Sequence, residues 1–302
     1  MDQYSHAVAF AKYMGGETRS LPKLPEVESL SPRVLRVLGD NPGVMQLQGT
    51  NTYIIGTGLD RLLIDSGQGR PGWALLLSSL AKKKSFKICK VLLTHWHLDH
   101  TEGVGDLLRM DPGLKDAIYK YDPDPCQQPI TDGDIFAVEG GTVRAVFTPG
   151  HSTDHVSFLL EEEAAIFTGD CILGHGATAV ENLEQYMQSL LKIQGLNCRI
   201  GYPGHGAPIV SLQSRLQGEI DQRQRRERKM LLDLGAHEGG SATEEELVEA
   251  AFGKKVPETV RENILKPHVK EILMKMARER RVGFRFRGGQ KRWFINKTRK
   301  DA

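Results

Sequence analysis

Cysteine is scarce in this chain. There are four in 302 residues, Cys89, Cys126, Cys171 and Cys198, widely spaced and without a Cys-x-x-Cys pair. That excludes a disulfide framework and fits a chain kept reduced inside a cell. Long apolar runs are missing too. No stretch approaches the roughly 20 residues a membrane-spanning helix needs. Met1 to Ser20 has polar breaks every few positions and no secretory apolar region. The expected location is the cytoplasm, with no membrane partner. Charge of one sign is also lacking: 40 Lys and Arg against 38 Asp and Glu leave +2, which selects no class of partner.

What the chain has is a concentration of metal-ligand residue types. Ile88-Cys89-Lys90-Val91-Leu92-Leu93 is short, apolar and β-branched in part, so it reads as a buried strand. Directly after it, Thr94-His95-Trp96-His97-Leu98-Asp99-His100 packs three His and one Asp into six residues. A loop at a strand end can turn several side chains toward one point. Burying four such groups without partners would be costly, whereas imidazoles and a carboxylate suit zinc, iron or manganese. Three further ligand types each follow a strand-like run and have a neighbouring Gly: His151 in Thr148-Pro149-Gly150-His151-Ser152, Asp170 in Phe167-Thr168-Gly169-Asp170, and His205 in Tyr202-Pro203-Gly204-His205-Gly206. Glycine permits the tight turns that bring such ligands inward.

The order of these motifs resembles the metallo-β-lactamase fold superfamily, over roughly residues 40 to 215. The resemblance implies an α/β fold, an αββα sandwich. It implies that His95, His97 and His151 hold one metal ion, that Asp99, His100 and His205 hold a second, and that Asp170 bridges them. Seven ligands exceed the need of one tetrahedral site but fill two that leave room for water. Such a pair makes hydroxide available near neutral pH, so the expected reaction is hydrolysis without a Ser, Cys or Lys nucleophile. Zn2+ is the default for this donor set and Mn2+ the alternative. Asp99 is expected to orient the water. Asp65, which ends the apolar run Leu62-Leu63-Ile64, is expected to support a ligand His by accepting its other N–H. Cys171 either lines the site or belongs to the core.

Gln48-Gly49-Thr50-Asn51-Thr52-Tyr53, Gly169-Asp170-Cys171-Ile172-Leu173-Gly174 and the C-terminal appendage resemble the β-lactamase-like protein 2 group. Within it, His175 in Leu173-Gly174-His175-Gly176 and the N-terminal arm with Asn41-Pro42-Gly43 resemble the fungal stand-alone thioesterases of atrochrysone carboxyl-ACP type. These serve non-reducing polyketide synthases that lack a release domain. The implied substrate is a polyketide chain on the phosphopantetheine thiol of an acyl carrier protein. His175 is then a candidate for catalysis and substrate contact, with Asn51 and Tyr53 as further candidates for the acyl pocket. The main alternative is a metal-dependent endonuclease for single-stranded RNA. From Arg278 onward ten Lys and Arg stand against Glu279 and Asp301, which suits phosphates and an acidic carrier protein alike. A glyoxalase II-like hydrolase of small thioesters is a third reading.

The expected layout is an N-terminal arm over 1–30, a catalytic domain over 31–215 and a mostly helical, winged-helix-like domain over 216–302. In the arm, Ala7 to Met14 reads as a short helix, and Pro22 and Pro25 break regular structure after it. In the last part, Thr243 and Glu246 form a capping-box signal. Gly288-Gly289 between two basic apolar runs signals a hairpin.

Overall fold

The computed structural model describes residues 21–296. These form two compact units, one ending at Leu216 and one beginning at Gln217. The helix expected over Ala7–Met14 lies outside the described residues. The remainder of the expected arm is partly sheet. Val27–Ser29 forms edge strand β1, paired antiparallel to Val34–Leu38 (β2) with Val27 opposite Val37. Pro22 and Pro25 stop short of the strand, and an edge position tolerates their missing N–H groups.

In the first unit β1 and β2 continue into Asn51–Ile55 (β3) and Asp60–Ile64 (β4), all antiparallel. A crossover helix, Pro71–Lys84 (α1), then returns the chain to Lys87–Leu92 (β5), which lies parallel to β4. Proline at the first turn and left-handed Ser85 after Lys84 bound that helix. Leu98–Thr101 (α2) and Val104–Met110 (α3) follow, and Ile118–Lys120 (β6) and Gln128–Pro129 (β7) complete a seven-stranded sheet. The second sheet holds Ile135–Val138 (β8), Gly141–Phe147 (β9), Val156–Leu160 (β10), Ala165–Gly169 (β11) and, past Leu183–Gly195 (α4), Ile200–Pro203 (β12). Its order is β12-β11-β10-β9-β8, with β11 and β12 parallel.

The period of two along each strand divides the core. Tyr53, Ile55, Leu62, Ile64 and Leu92 face Phe136, Val143, Phe158, Leu160 and Phe167 in one cluster between the sheets. The alternate residues Ile54, Leu63 and Val91 pack with Trp73 and Leu77 of α1 and Leu107 of α3 in another. This places helices outside and sheet against sheet, the αββα sandwich. Cys171 is fully buried, so of its two readings the core one describes it.

The helix Leu212–Ala236 (α5) leads into the second unit. Ser241–Ala242 (β13), Glu244–Phe252 (α6), Glu258–Val260 (α7), a π-helical stretch at Arg261–Leu265 and Lys266–Arg278 (α8) follow. Val282–Arg287 (β14) and Gln290–Ile295 (β15) close a three-stranded sheet ordered β13-β15-β14. The capping box of Thr243 and Glu246 is formed. Gly288 and Gly289, both at positive φ, make the hairpin turn. The unit is thus mostly helical and ends in a hairpin. Among the described residues no helix is long and apolar enough to cross a membrane.

Candidate metal centre

Strand ends build the site. β4 and β5 are parallel neighbours, as are β11 and β12, so each pair delivers its C-terminal residues to one edge. Asp65 follows β4, His95 to His100 follow β5, Asp170 follows β11 and His205 follows β12. His151 comes from the loop between β9 and β10. The seven expected ligands fall into two groups, His95, His97, His151 and Asp170, and Asp99, His100 and His205.

Within the first group His95 Nε2 lies 2.9 Å from His97 Nδ1 and 3.3 Å from His151 Nε2, and the last two are 3.1 Å apart. In the second, His205 Nε2 lies 3.3 Å from His100 Nε2 and 3.2 Å from Asp99 Oδ2. The Asp170 carboxylate reaches both groups, with Oδ2 3.7 Å from His151 Nε2 and 3.3 Å from His205 Nε2, and Oδ1 3.5 Å from His100 Nε2.

The surrounding hydrogen bonds fix which ring nitrogens face inward. His151 Nδ1–H donates to Ala179 O at 2.9 Å, which leaves a lone pair on Nε2. Thr94 Oγ1 donates to the Asp65 carboxylate and so accepts from His95 Nδ1–H at 2.9 Å, leaving a lone pair on His95 Nε2. His100 Nδ1–H donates to Asp65 Oδ2 at 2.7 Å. Asp65 is 1 % exposed, sits at positive φ and also accepts from Thr94 N at 2.8 Å. It therefore supports ligands of both groups, beyond the single His expected of it.

These lone pairs converge with no proton between them, an arrangement that repels itself unless a cation intervenes. Zn–N bonds of about 2.0–2.1 Å in tetrahedral geometry give N···N edges of about 3.3 Å, close to the separations in the first group. Asp170 Oδ1 is buried and makes no hydrogen bond among the described residues, as a metal-directed oxygen would. The cluster thus fits divalent metal binding.

The electrostatics of the metal-free chain agree. Burial pushes His95 well down. Burial and then the His151 charge bring His97 to about 4. Burial opposes a charge on His100, yet Asp99, Asp65 and Asp170 pull its pKa up to about 9. Burial likewise acts to raise the Asp170 carboxyl, but His205 and His100 outweigh it and hold it well below the usual carboxylate range.

Two sequence expectations are corrected here. Asn51 and Tyr53 do not line a pocket. Asn51 is fully buried, and its Nδ2 donates to Pro203 O and Gly206 O, each at 2.8 Å. Tyr53 Oη donates to the same Pro203 O at 2.6 Å while its ring packs 5.0 Å from that of Phe167. Both brace the loop that carries His205. His175 is half-buried on the loop after Asp170, where Gly174 N donates to His205 O at 2.9 Å, and it belongs to neither ligand group. Sequence reasoning passed over Thr94 and Thr50, whose hydroxyl donates to Asp99 Oδ2 at 3.2 Å. Adjacency to the motifs was the only signal for either. His155, also buried, accepts from Asp170 N at 3.1 Å and so holds that ligand's backbone.

The family model for the metallo-beta-lactamase superfamily matches residues 46–110 and 106–205. An atrochrysone carboxyl ACP thioesterase of Aspergillus fumigatus is 62% identical over 98% of this chain and 97% of its own length. A second protein of that name, from Cryptosporiopsis sp., is 50% identical over 97% of this chain and 94% of its own. Among solved structures, a beta-lactamase domain protein from Burkholderia ambifaria superposes with a TM-score of 0.75 at 14% identity, over 91% of this chain and 95% of that one; that likeness concerns the fold alone. The chain belongs to the metallo-beta-lactamase superfamily.

Proposed function

We propose that this chain is a metal-dependent thioesterase that releases a polyketide acyl chain from an acyl carrier protein. The observation that carries the reading is similarity to a named thioesterase across both units, 62% over 98% of the chain, combined with a complete ligand cluster. His95, His97, His151 and Asp170 would hold one ion. Asp99, His100 and His205, sharing Asp170, would hold a second. Zinc is the ion this donor set favours, and manganese is the alternative. Divalent ions there supply Lewis acidity, polarising a carbonyl oxygen and bringing the pKa of water toward neutrality.

The chain's own residues do the rest. Asp99, held by Thr50 Oγ1 and close to His205, is assigned to orient the attacking water and hold its proton on a carboxylate oxygen. A thiolate with a parent pKa near 8.5 leaves without a general acid, which suits a site whose other acids are committed to the ligand cluster. His175, half-buried beside the His205 loop, is assigned to substrate contact.

The test is a paired hydrolysis assay of the metal-loaded protein at matched salt. One arm is an aromatic polyketide-type acyl thioester on carrier-protein phosphopantetheine, and the other is a single-stranded RNA oligomer. Thioester release without RNA cleavage is expected. RNA cleavage without thioester release would overturn the proposal and make the basic β14–β15 hairpin a substrate track.

A further inference from the structure

Asp99 is reached by a directed chain of hydrogen bonds that begins at Asn41, on the connection between β2 and β3. Thr50 N donates to Asn41 Oδ1 at 2.9 Å. Because that amide atom accepts, the other is the NH2 group. Its two hydrogens go to Thr50 Oγ1 at 3.0 Å and Gln68 Oε1 at 3.2 Å. Thr50 Oγ1 thus already accepts from Asn41, so its single hydrogen is left for Asp99 Oδ2 at 3.2 Å. The direction is fixed along the whole path: Asn41 donates to Thr50, and Thr50 donates to Asp99.

The path is closely enclosed. Asn41 is 5 % exposed and Thr50 fully buried. A Cβ on Gly39 would lie 2.9 Å from Asn41 Oδ1, and one on Gly49, which has φ +125°, would lie 3.4 Å from it. Thr50 also forms a β-bridge with His205, and Asn51 N donates to Gly204 O at 2.7 Å. One residue therefore touches the carboxylate of Asp99 and is paired along the backbone with His205, the two groups that lie 3.2 Å apart in the second ligand group.

We infer that Thr50, oriented by Asn41, is a positioning residue that sets the Asp99 carboxylate for the second metal ion. This rests on the reading of the cluster as a metal centre. Outer hydrogen bonds of this kind are worth about 10–100-fold in metal affinity. The first group has supports of its own in Thr94 and Ala179, so the loss should be confined to one ion. Asn41 carries the more demanding part of the inference. An aspartate in its place keeps the acceptor for Thr50 N but loses the NH2 donor, which turns the Thr50 hydrogen away from Asp99. Added negative charge alone would tighten a nearby cation, so the direction of the hydrogen bonds and simple electrostatics predict opposite results.

The experiment is a Zn2+ titration of the full chain against a chromophoric chelator, with thermal unfolding of each metal-free variant as the fold control. Wild type should take up two ions. Thr50→Val should weaken one of them by about 10-fold or more and leave the other unchanged, and Thr50→Ser, which retains the hydroxyl, should restore wild-type affinity. Asn41→Asp should weaken the same ion. Two ions held with wild-type affinity in Thr50→Val, equal weakening of both ions, or tighter binding in Asn41→Asp would each overturn the inference while the metal reading stands. Absence of Zn2+ binding by wild type would overturn both.

Discussion

Asn51 and Tyr53 offer a sharp test, because a bracing role and a pocket role make different demands. Tyr53→Phe removes one hydroxyl and leaves the ring packing in place. Pro203 O retains its bond from Asn51 Nδ2, so nothing buried is orphaned. The cost is one net hydrogen bond, about 1 kcal/mol, a fall in Tm of roughly 2–4 °C for a unit of this size. Asn51→Ala removes two bonds and strips Gly206 O of its Asn51 donor. Two lost bonds plus an unsatisfied buried carbonyl come to about 3–5 kcal/mol, or roughly 6–20 °C. Thermal unfolding of both variants, alongside steady-state kinetics on an acyl thioester, reads the difference. The bracing account predicts graded stability losses and, for Tyr53→Phe, an unchanged KM. A raised KM in both variants with wild-type Tm would refute it and return these residues to the acyl pocket.

Other expectations follow from the same geometry. Asp65→Asn leaves too few acceptor oxygens for Thr94 and His100, so chelator competition should show metal affinity reduced about 10–100-fold. Gly204→Ala would drive a methyl group into the Asp170 carboxylate and the His100 ring; circular dichroism should show a retained fold, and metal analysis should show lost ions. In the second unit burial, with Arg226 and Arg223, holds His268 down at about 4. The unfolded chain titrates near 6.5, so between those values it binds more protons and stability falls as pH falls. The loss is at most about 3 kcal/mol, and urea unfolding from pH 7 to 4.5 should show a shallower decline in His268→Gln.

The ligand set was legible because His95 to His100 crowd together directly after an apolar run, and His151, Asp170 and His205 each sit beside a glycine after another, patterns carried by local sequence. The helix start at Thr243 and the terminal hairpin were legible for a similar reason, since the capping box and Gly288-Gly289 are short-range signals. What stayed hidden depends on partners distant in the chain. Asn51 and Tyr53 meet carbonyls about 150 positions away, and a polar residue beside a ligand motif looks the same whether it braces a loop or lines a pocket. β1 was hidden by Pro22 and Pro25, which mark an end to regular structure without indicating that an edge strand begins two residues later. Thr50 and Thr94 carry no distinguishing signal, because the role of a hydroxyl is set by what its single hydrogen must avoid.

The most direct test of the central claim is hydrolysis of a carrier-protein-bound polyketide thioester by metal-loaded wild type and by Asp170→Ala, with circular dichroism on both. Among the described residues Asp170 is the one carboxylate within reach of both ligand groups. The account predicts turnover by wild type and background release by a folded Asp170→Ala. Wild-type turnover in that variant would contradict it.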